Sequence, residues 1–418
     1  MSPRRFTSAG LSSVIDLPSR CDDYVLLHRI AVGGMAEVFL AVEDGPGRRL
    51  CVIKRVRADY AEVAEFEEFF LTEGRVSLLC HHPNLPAAHR LGLVGGRAYL
   101  ALEYVHGHGV LALARAALAR QQPMSVAAAV AIGLGTARAL EHLHGLTDVD
   151  GTPLRVVHRD VSPHNLIVSS AGVVKLLDLG VARAALQTHN TQVGVIKGKY
   201  AYMAPEQLVQ TRPIDQRADL FALGAVLHEL LVNRGLFLGL SDLDTCERVR
   251  AMPIPSPAAL RHEVPAPVAE VVMIALARDP ERRWASATAL ADALEDAARR
   301  SGVWPSSSDL AVEAVALCGP APRPLLIGGA LRWEGRPVSG RPHAPLAIDD
   351  AERGAPVAMA PDPSDASVVG VEEDELTEPV EEAASAAMRD PALAYFLHVG
   401  AVPRPIHDDD DGGDDDDA

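Results

Sequence analysis

Lysine is almost missing from this chain of 418 residues. Only Lys54, Lys175, Lys197 and Lys199 occur, and arginine supplies the rest of the positive charge. Arg and Lys differ in shape and hydration, so each retained lysine raises the question whether a compact ammonium is required there. Aromatics are only 4% of residues, so Ala, Val and Leu must fill any core; the 48% hydrophobic content is enough for one and excludes disorder over the whole chain. Cysteines are few and scattered (Cys21, Cys51, Cys80, Cys246, Cys318), with no CxxC spacing. That argues against disulfides and structural zinc and for reduced thiols in a cytoplasmic protein. Long apolar runs are lacking too. Val126–Leu134 runs into Thr136, Arg138 and Glu141, short of the ~20 apolar residues of a membrane span. No apolar run follows Arg4 and Arg5, so no secretory signal is expected.

The net charge of −17 belongs entirely to residues 301–418, which hold 24 acidic residues, 7 Arg and no Lys; residues 1–300 balance at zero. With no basic excess, nucleic-acid binding is not expected. Residues 1–23 are polar and Ser-rich and read as a flexible segment. From Tyr24 to about Leu102 short apolar runs, such as Val38–Val42, Leu50–Lys54 and Ala98–Leu102, alternate with Gly and Pro. One helical stretch interrupts them, Val63–Cys80, with Phe66, Phe69, Phe70, Val76 and Leu79 at spacings of three and four. From Leu111 to about Arg300 the pattern is mostly helical. After Ser301 the texture turns to Pro, Ala, Gly and acid, ending in Asp408–Asp411 and Asp414–Asp417. We read 301–418 as a disordered tail with one short ordered piece near Leu393–Val399, so truncation after Arg300 should leave folding intact.

The chemistry-bearing residues come in order. Ile30-Ala-Val-Gly-Gly-Met-Ala-Glu-Val38 sits between strand-like runs; small residues at Ala31, Gly33, Gly34 and Ala36 would let a hairpin backbone approach a phosphate. A structural turn gives the same pattern. Lys54 ends the next apolar run and could offer a cation to phosphates. Glu73 lies on the buried face of the helix beside Phe69, Phe70 and Val76, where a carboxylate needs a cation, and Lys54 would supply it. His158-Arg-Asp-Val-Ser-Pro-His-Asn165 places an Asn five residues after an Asp, which suits a base and a metal ligand. Val173–Leu177 reads as a strand ending in Asp178-Leu-Gly180, a carboxylate placed to hold Mg²⁺. Ala204-Pro-Glu206, Asp219-Leu-Phe-Ala-Leu-Gly224 and Asp279-Pro-Glu-Arg-Arg283 follow.

This ordered set resembles the eukaryotic-type serine/threonine protein kinase family, of a bacterial kind, over about residues 24–300. The resemblance implies an α+β, two-lobed protein kinase fold: a β-rich N-lobe, an α-helical C-lobe and ATP between them. By that resemblance Ile30, Ala31, Val32, Gly33, Gly34, Ala36 and Val38 cover the nucleotide phosphates. Lys54 reaches the α- and β-phosphates and pairs with Glu73. Glu103 and Val105 form the hinge on adenine, with Leu102 as gatekeeper. Asp160 is the catalytic base, and Asn165 and Asp178 hold Mg²⁺. Arg159 would pair with a phosphate on Thr188 or Thr191. Glu206 and Arg283 brace the activation segment, and Asp219 is a structural member of the set. The substrates would be protein Ser/Thr hydroxyls, with a homodimer as the route to autophosphorylation in trans.

The departures are informative. Ala31 and Ala36 replace the family's first and third Gly, and Leu179 replaces Phe. Ser162 stands where Ser/Thr kinases carry a Lys near the γ-phosphate, whereas Lys199 stands where a docking-loop Thr is expected. Loss of a lysine at one position and gain at its usual neighbour reads as an exchange. Pro163 resembles the Ser/Thr type rather than the tyrosine type. Ser162 also keeps a second reading open, a pseudokinase acting as a nucleotide-binding scaffold. His81, His82 and His89 read as loop residues. His142 and His144, two apart on a helix, face different ways and are poor joint ligands.

Overall fold

The computed structural model describes residues 17–45, 47–61, 63–179, 199–209, 213–327 and 330–334. The first lobe is one antiparallel sheet built from β1 (Ser19–Cys21), β2 (Tyr24–Val32), β3 (Ala36–Glu43), β4 (Leu50–Val56), β5 (Ala88–Val94) and β6 (Arg97–Glu103), in the order β1-β2-β3-β4-β6-β5. Strand side chains alternate between faces, and the sorting along β4 decides where the chemistry lies. Cys51 and Ile53 join Phe39, Ala41, Tyr99 and Ala101 in one buried cluster, and Arg55 stacks over Phe39 with its guanidinium carbon 5.1 Å from the ring centre. Lys54 and Val56 point to the opposite face, where Val56, Ala98 and Leu100 meet Phe70 of helix α1 (Ala64–Leu79). The expected buried stripe of α1 is observed in part: Phe70, Glu73 and Val76 are buried and Phe66 and Phe69 partly so, but Leu79, at the helix end, is 40% exposed.

The chain then passes through β7 (Gly107–Gly109) and α2 (Val110–Ala119) into the helical lobe. Strand β7 pairs with β8 (Leu166–Ser169), which pairs with β9 (Val174–Leu176). At Gly107 a Cβ would fall 2.1 Å from the Val168 carbonyl oxygen, so only glycine lets β7 lie this close to β8. Helix α3 (Val126–His144) starts where the Ser125 hydroxyl accepts the Ala128 N–H, the usual way an N-cap satisfies a helix's orphan donors. By length and composition α3 could span a membrane. Instead it packs against the later helices, with Ala129, Val130, Ile132, Ala137, Ala139 and Leu140 buried, as a core helix does.

Helix α4 (Pro205–Val209) precedes α5 (Arg217–Val232), the centre of this lobe. Its sequence is apolar on nearly every side, and Leu220, Phe221, Leu223, Val226, Leu227, Leu230 and Leu231 are all buried. Asn233 ends it in the left-handed conformation at φ 60°, one of the residues that tolerates this C-terminal geometry. Around α5 lie α6 (Asp242–Ala251), α7 (Pro257–Leu260), α8 (Ala266–Ala275) and α9 (Ala287–Arg300).

The tail expected to begin at Ser301 does not begin there. Ser306 caps a further helix, α10 (Ser307–Cys318), which buries Leu310, Ala314 and Leu317 against α2, α3 and β8. A hairpin follows, β10 (Arg323–Ile327) with β11 (Ala330–Glu334). Composition misled here because Pro, Ala and Gly dominate 319–330, whereas α10 carries its apolar residues at helical spacing. The piece expected at Leu393–Val399 and the Asp runs lie outside the described residues. All five cysteines are free.

Losing α10 would expose two buried leucines, each worth about 1.5–3 kcal/mol. Truncation after Arg300 is therefore expected to lower the melting temperature by about 5 °C or more. An unchanged melting curve would return α10 to the tail.

Candidate active site

Strand β4, helix α1 and the end of β9 meet at one ammonium. Lys54 Nζ donates to Glu73 Oε1 at 2.5 Å and to Asp178 Oδ1 at 3.0 Å. Lys54 and Glu73 are largely shielded, while half of the Asp178 side chain is exposed. Burial works to lower the lysine pKa, but the charges of Asp178 and Glu73 overcome it and raise the pKa above the usual lysine value. The ammonium thus stays charged wherever the carboxylates do. The pairing of Lys54 with Glu73 joins two residues 19 apart in sequence; the pairing with Asp178 joins the two lobes.

The loop holding Asp160 hangs from one buried carboxylate. Asp219, at the start of α5, accepts the backbone N–H groups of His158 at 2.8 Å and Arg159 at 2.7 Å, and His144 Nε2 donates to it at 2.8 Å. Burial pushes the Asp219 carboxyl up, but His144 and the His158 N–H outweigh it and hold the pKa below the ordinary range. Arg159 is left with φ 61° and Asp178 with φ 52°. Left-handed backbone at such residues costs about 1–3 kcal/mol each and persists only where the surroundings dictate it. Here the donors to Asp219 and the Lys54 pair do so.

Asn165, in the turn Pro163–Asn165, donates from Nδ2 to the Asp160 carbonyl at 2.8 Å and to Asp160 Oδ2 at 2.6 Å. Its Oδ1 makes no hydrogen bond to the described residues. The Asn165 carbonyl accepts the Leu177 N–H at 2.8 Å, and His158 Nε2 donates to the Leu177 carbonyl at 3.0 Å. Asp160, Asn165 and Asp178 are therefore tied into one framework. Asn165 and Asp178 offer hard oxygen donors of the kind Mg²⁺ takes. Among the described residues no cluster of three or more His, Cys, Asp or Glu could hold a metal by itself. A Mg²⁺ ion here would complete its shell with phosphate oxygens and water, as it commonly does.

Residues 30–34 form an exposed hairpin tip closed by Gly33 N–H to the Ala36 carbonyl at 2.8 Å, while Ala36 is buried and Val38 partly buried. Arg57, not singled out from the sequence, donates to the Gly33 and Gly34 carbonyls at 3.3 Å and braces that tip. Lys175 was also left unassigned. Its Nζ donates to Glu103 Oε2 at 2.7 Å and to the Leu85 carbonyl at 3.1 Å, tying β9 to the end of β6, where Glu103 and Val105 lie. The signal was present: Lys175 is one of four lysines and lies three residues before Asp178. The histidines set aside separate as expected. His144 serves Asp219, whereas the His142 ring stacks on His82 at 5.2 Å.

Ser162 is buried, and its hydroxyl makes no hydrogen bond among the described residues. Lys199 opens the turn Lys199–Tyr202, but its side chain, like Thr188 and Thr191, lies outside the described part. Below that turn Glu206 and Arg283 form a buried bidentate pair, with Nη1–Oε1 at 2.6 Å and Nη2–Oε2 at 2.8 Å. The arginine also donates to the carbonyls of Ala277, Arg217 and Arg278.

The protein kinase domain family model matches residues 24–294. The chain belongs to the protein kinase family. This kinase domain is 38% identical over 292 residues to the tyrosine-protein kinase MasK of Myxococcus xanthus, covering 69% of this chain and 44% of that one. It is 32% identical over 285 residues to the serine/threonine-protein kinase PknA of Mycobacterium tuberculosis, covering 67% of this chain and 62% of PknA. The alignments thus span about half to three fifths of these bacterial relatives. Among solved structures, a double mutant of the PknI kinase domain from Mycobacterium tuberculosis matches with TM-score 0.51 and 25% identity, over 67% of this chain and 98% of that one. The α+β, two-lobed fold expected from the motifs is the fold observed.

Removing one partner of a buried ion pair strands the other charge, at about 3–5 kcal/mol. Arg283→Met is expected to lower unfolding stability by that amount in urea titrations. A loss under 1 kcal/mol would mean that the pair does not hold this lobe together.

Proposed function

We propose that the chain is an ATP- and Mg²⁺-dependent protein kinase that phosphorylates Ser/Thr hydroxyls of other proteins, working in a reducing cytoplasm that suits its free thiols. The observation that carries the reading is the Lys54 ammonium held between Glu73 and Asp178, within one framework with Asp160 and Asn165. In this reading Lys54 grips the α- and β-phosphates. Asp160 Oδ accepts the proton of the substrate hydroxyl as its oxygen attacks the γ-phosphorus and the bond to ADP breaks. Asn165 orients Asp160 and, with Asp178, would hold Mg²⁺, which would supply positive charge to the phosphates. Catalysis is then mainly positioning and electrostatic stabilisation.

A specific observation favours a second reading of the acceptor: MasK, at 38% identity, is named a tyrosine kinase. Against it stands Pro163 in the catalytic loop. One experiment addresses both questions. Purified chain is incubated with labelled ATP and Mg²⁺ beside Lys54→Met and Asp160→Asn, followed by phosphoamino-acid analysis and site mapping. Each substitution should cut transfer by about 10²–10³-fold, with phosphate on Ser and Thr and autophosphorylation at Thr188 or Thr191, where Arg159 would pair with it. Phosphotyrosine alone would move the chain to the second reading. Transfer unaffected by either substitution would overturn the site, and a wild type without transfer would make it a pseudokinase.

The orphaned Ser162 hydroxyl supports the lysine exchange. A buried hydroxyl without a partner carries a cost, as is reasonable where the family's lysine has been lost. Lys199 would bring an ammonium to the γ-phosphate from the docking loop. Lys199→Thr should lose about 10²-fold in rate, and adding Ser162→Lys should restore much of it, since directly coupled residues are non-additive. A fully active single mutant, or a double mutant no better than the single, would refute the exchange.

A further inference from the structure

The segment beyond the family match, which ends at residue 294, is fastened along its length to the helical lobe and, at its end, to the linker that follows the hinge. At its start, Ser307 approaches Gly172 of the β8–β9 turn so closely that a Cβ there would sit 1.7 Å from the Ser307 carbonyl oxygen. Along α10, Glu313 accepts from the Ser125 N–H at 2.8 Å and from its hydroxyl at 2.6 Å, at the start of α3. Arg120 Nη1, just past α2, donates to the Ala316 carbonyl at 2.6 Å. Beyond α10, His108 Nε2 lies 2.9 Å from the Gly319 carbonyl and His106 Nε2 lies 3.1 Å from the Ala321 carbonyl. A carbonyl only accepts, so both imidazoles carry their proton on Nε2 and donate.

His106 directly follows Val105. The His106 carbonyl accepts the Ser170 N–H at 2.8 Å, so the linker is held by β8 on its backbone and by 319–321 through its side chains. We propose that residues 307–321 form a strap that sets nucleotide affinity, with His106 and His108 as the positioning residues that transmit it to the hinge. The inference deepens the kinase reading and rests on it. A hinge presenting backbone donors and acceptors to adenine binds more tightly when it is ordered beforehand. Releasing the strap leaves that ordering to be done on binding. Lys54, Asp160, Asn165 and Asp178 are untouched, so the transfer step itself should change little.

The test uses the full chain and two double variants, His106→Phe/His108→Phe and His106→Gln/His108→Gln. Phe keeps a ring without a donor; Gln keeps an N–H donor at similar reach. Binding of a non-hydrolysable ATP analogue with Mg²⁺ is measured by calorimetry, and KM for ATP and kcat are measured on an added protein substrate. The Phe pair should raise both Kd and KM about tenfold, within the usual range of coupling between sites, with kcat within twofold. The Gln pair should restore wild-type binding. Glu313→Ala, which loosens the strap far from the hinge, should shift Kd the same way and serves if the Phe pair does not fold. Unchanged Kd in the Phe pair and in Glu313→Ala, or a Gln pair as weak as the Phe pair, would overturn the strap. A wild type that binds the analogue without transferring phosphate would sink the kinase reading and leave the strap testable by Kd; one that binds no nucleotide would overturn both.

Discussion

Everything in the candidate site turns on one buried cation. Lys54 emerges from a strand that is apolar apart from Arg55 on the opposite face, into a space lined by two carboxylates, and it pairs with both. Removing water from an ion costs several kcal/mol, and only close counter-charges with good geometry return it. The ammonium therefore draws α1 toward the sheet through Glu73 and the end of β9 toward the sheet through Asp178. A guanidinium would bring a planar, multi-pronged donor where a compact charge is shared between two carboxylates, which gives a reason for lysine in an arginine-dominated chain.

The second constraint is the Asp219 carboxylate below the loop. It takes two backbone N–H groups and an imidazole, so the loop backbone is dictated from beneath rather than by its own preferences. That accounts for Arg159 in a left-handed conformation, and it gives Asp160 a fixed orientation, completed by Asn165. The Glu206–Arg283 pair does for the segment after the turn Lys199–Tyr202 what Asp219 does for the loop. Both are buried charges whose partners sit far away in sequence, so each forms only when the helical lobe has closed around α5.

Helix α10 extends the same logic outward. Its apolar stripe of Leu310, Ala314 and Leu317 anchors it, and polar contacts tie it and the residues after it to the start of α3, to the end of α2 and to His106 and His108. Such contacts add little stability one by one. Their placement couples a segment outside the family's shared domain to the backbone next to the hinge.

Much of this was legible in the sequence because it depends on local patterns. Strand and helix periodicity placed β3, β4, β6 and α1 close to their observed limits, since burial of one face imposes a period of two or 3.6 on the residues themselves. The motif spacing singled out Lys54, Glu73, Asp160, Asn165, Asp178, Glu206 and Arg283, and the structure joins Lys54 with Glu73 and Asp178, Asn165 with Asp160, and Glu206 with Arg283. What the sequence could not convey were the contacts whose two halves carry no mark of each other. Lys175 reaching Glu103, Arg57 holding the hairpin tip and His144 serving Asp219 each join ordinary residues that only chain closure brings together. Composition also misjudged residues 301–318, because low aromatic content and nearby Pro and Gly resemble a tail. The sequence by itself determined the elements and the order of the chemical groups; the tertiary structure alone decided which charges share a buried space, because the cost of desolvation is set by three-dimensional surroundings and not by neighbours along the chain.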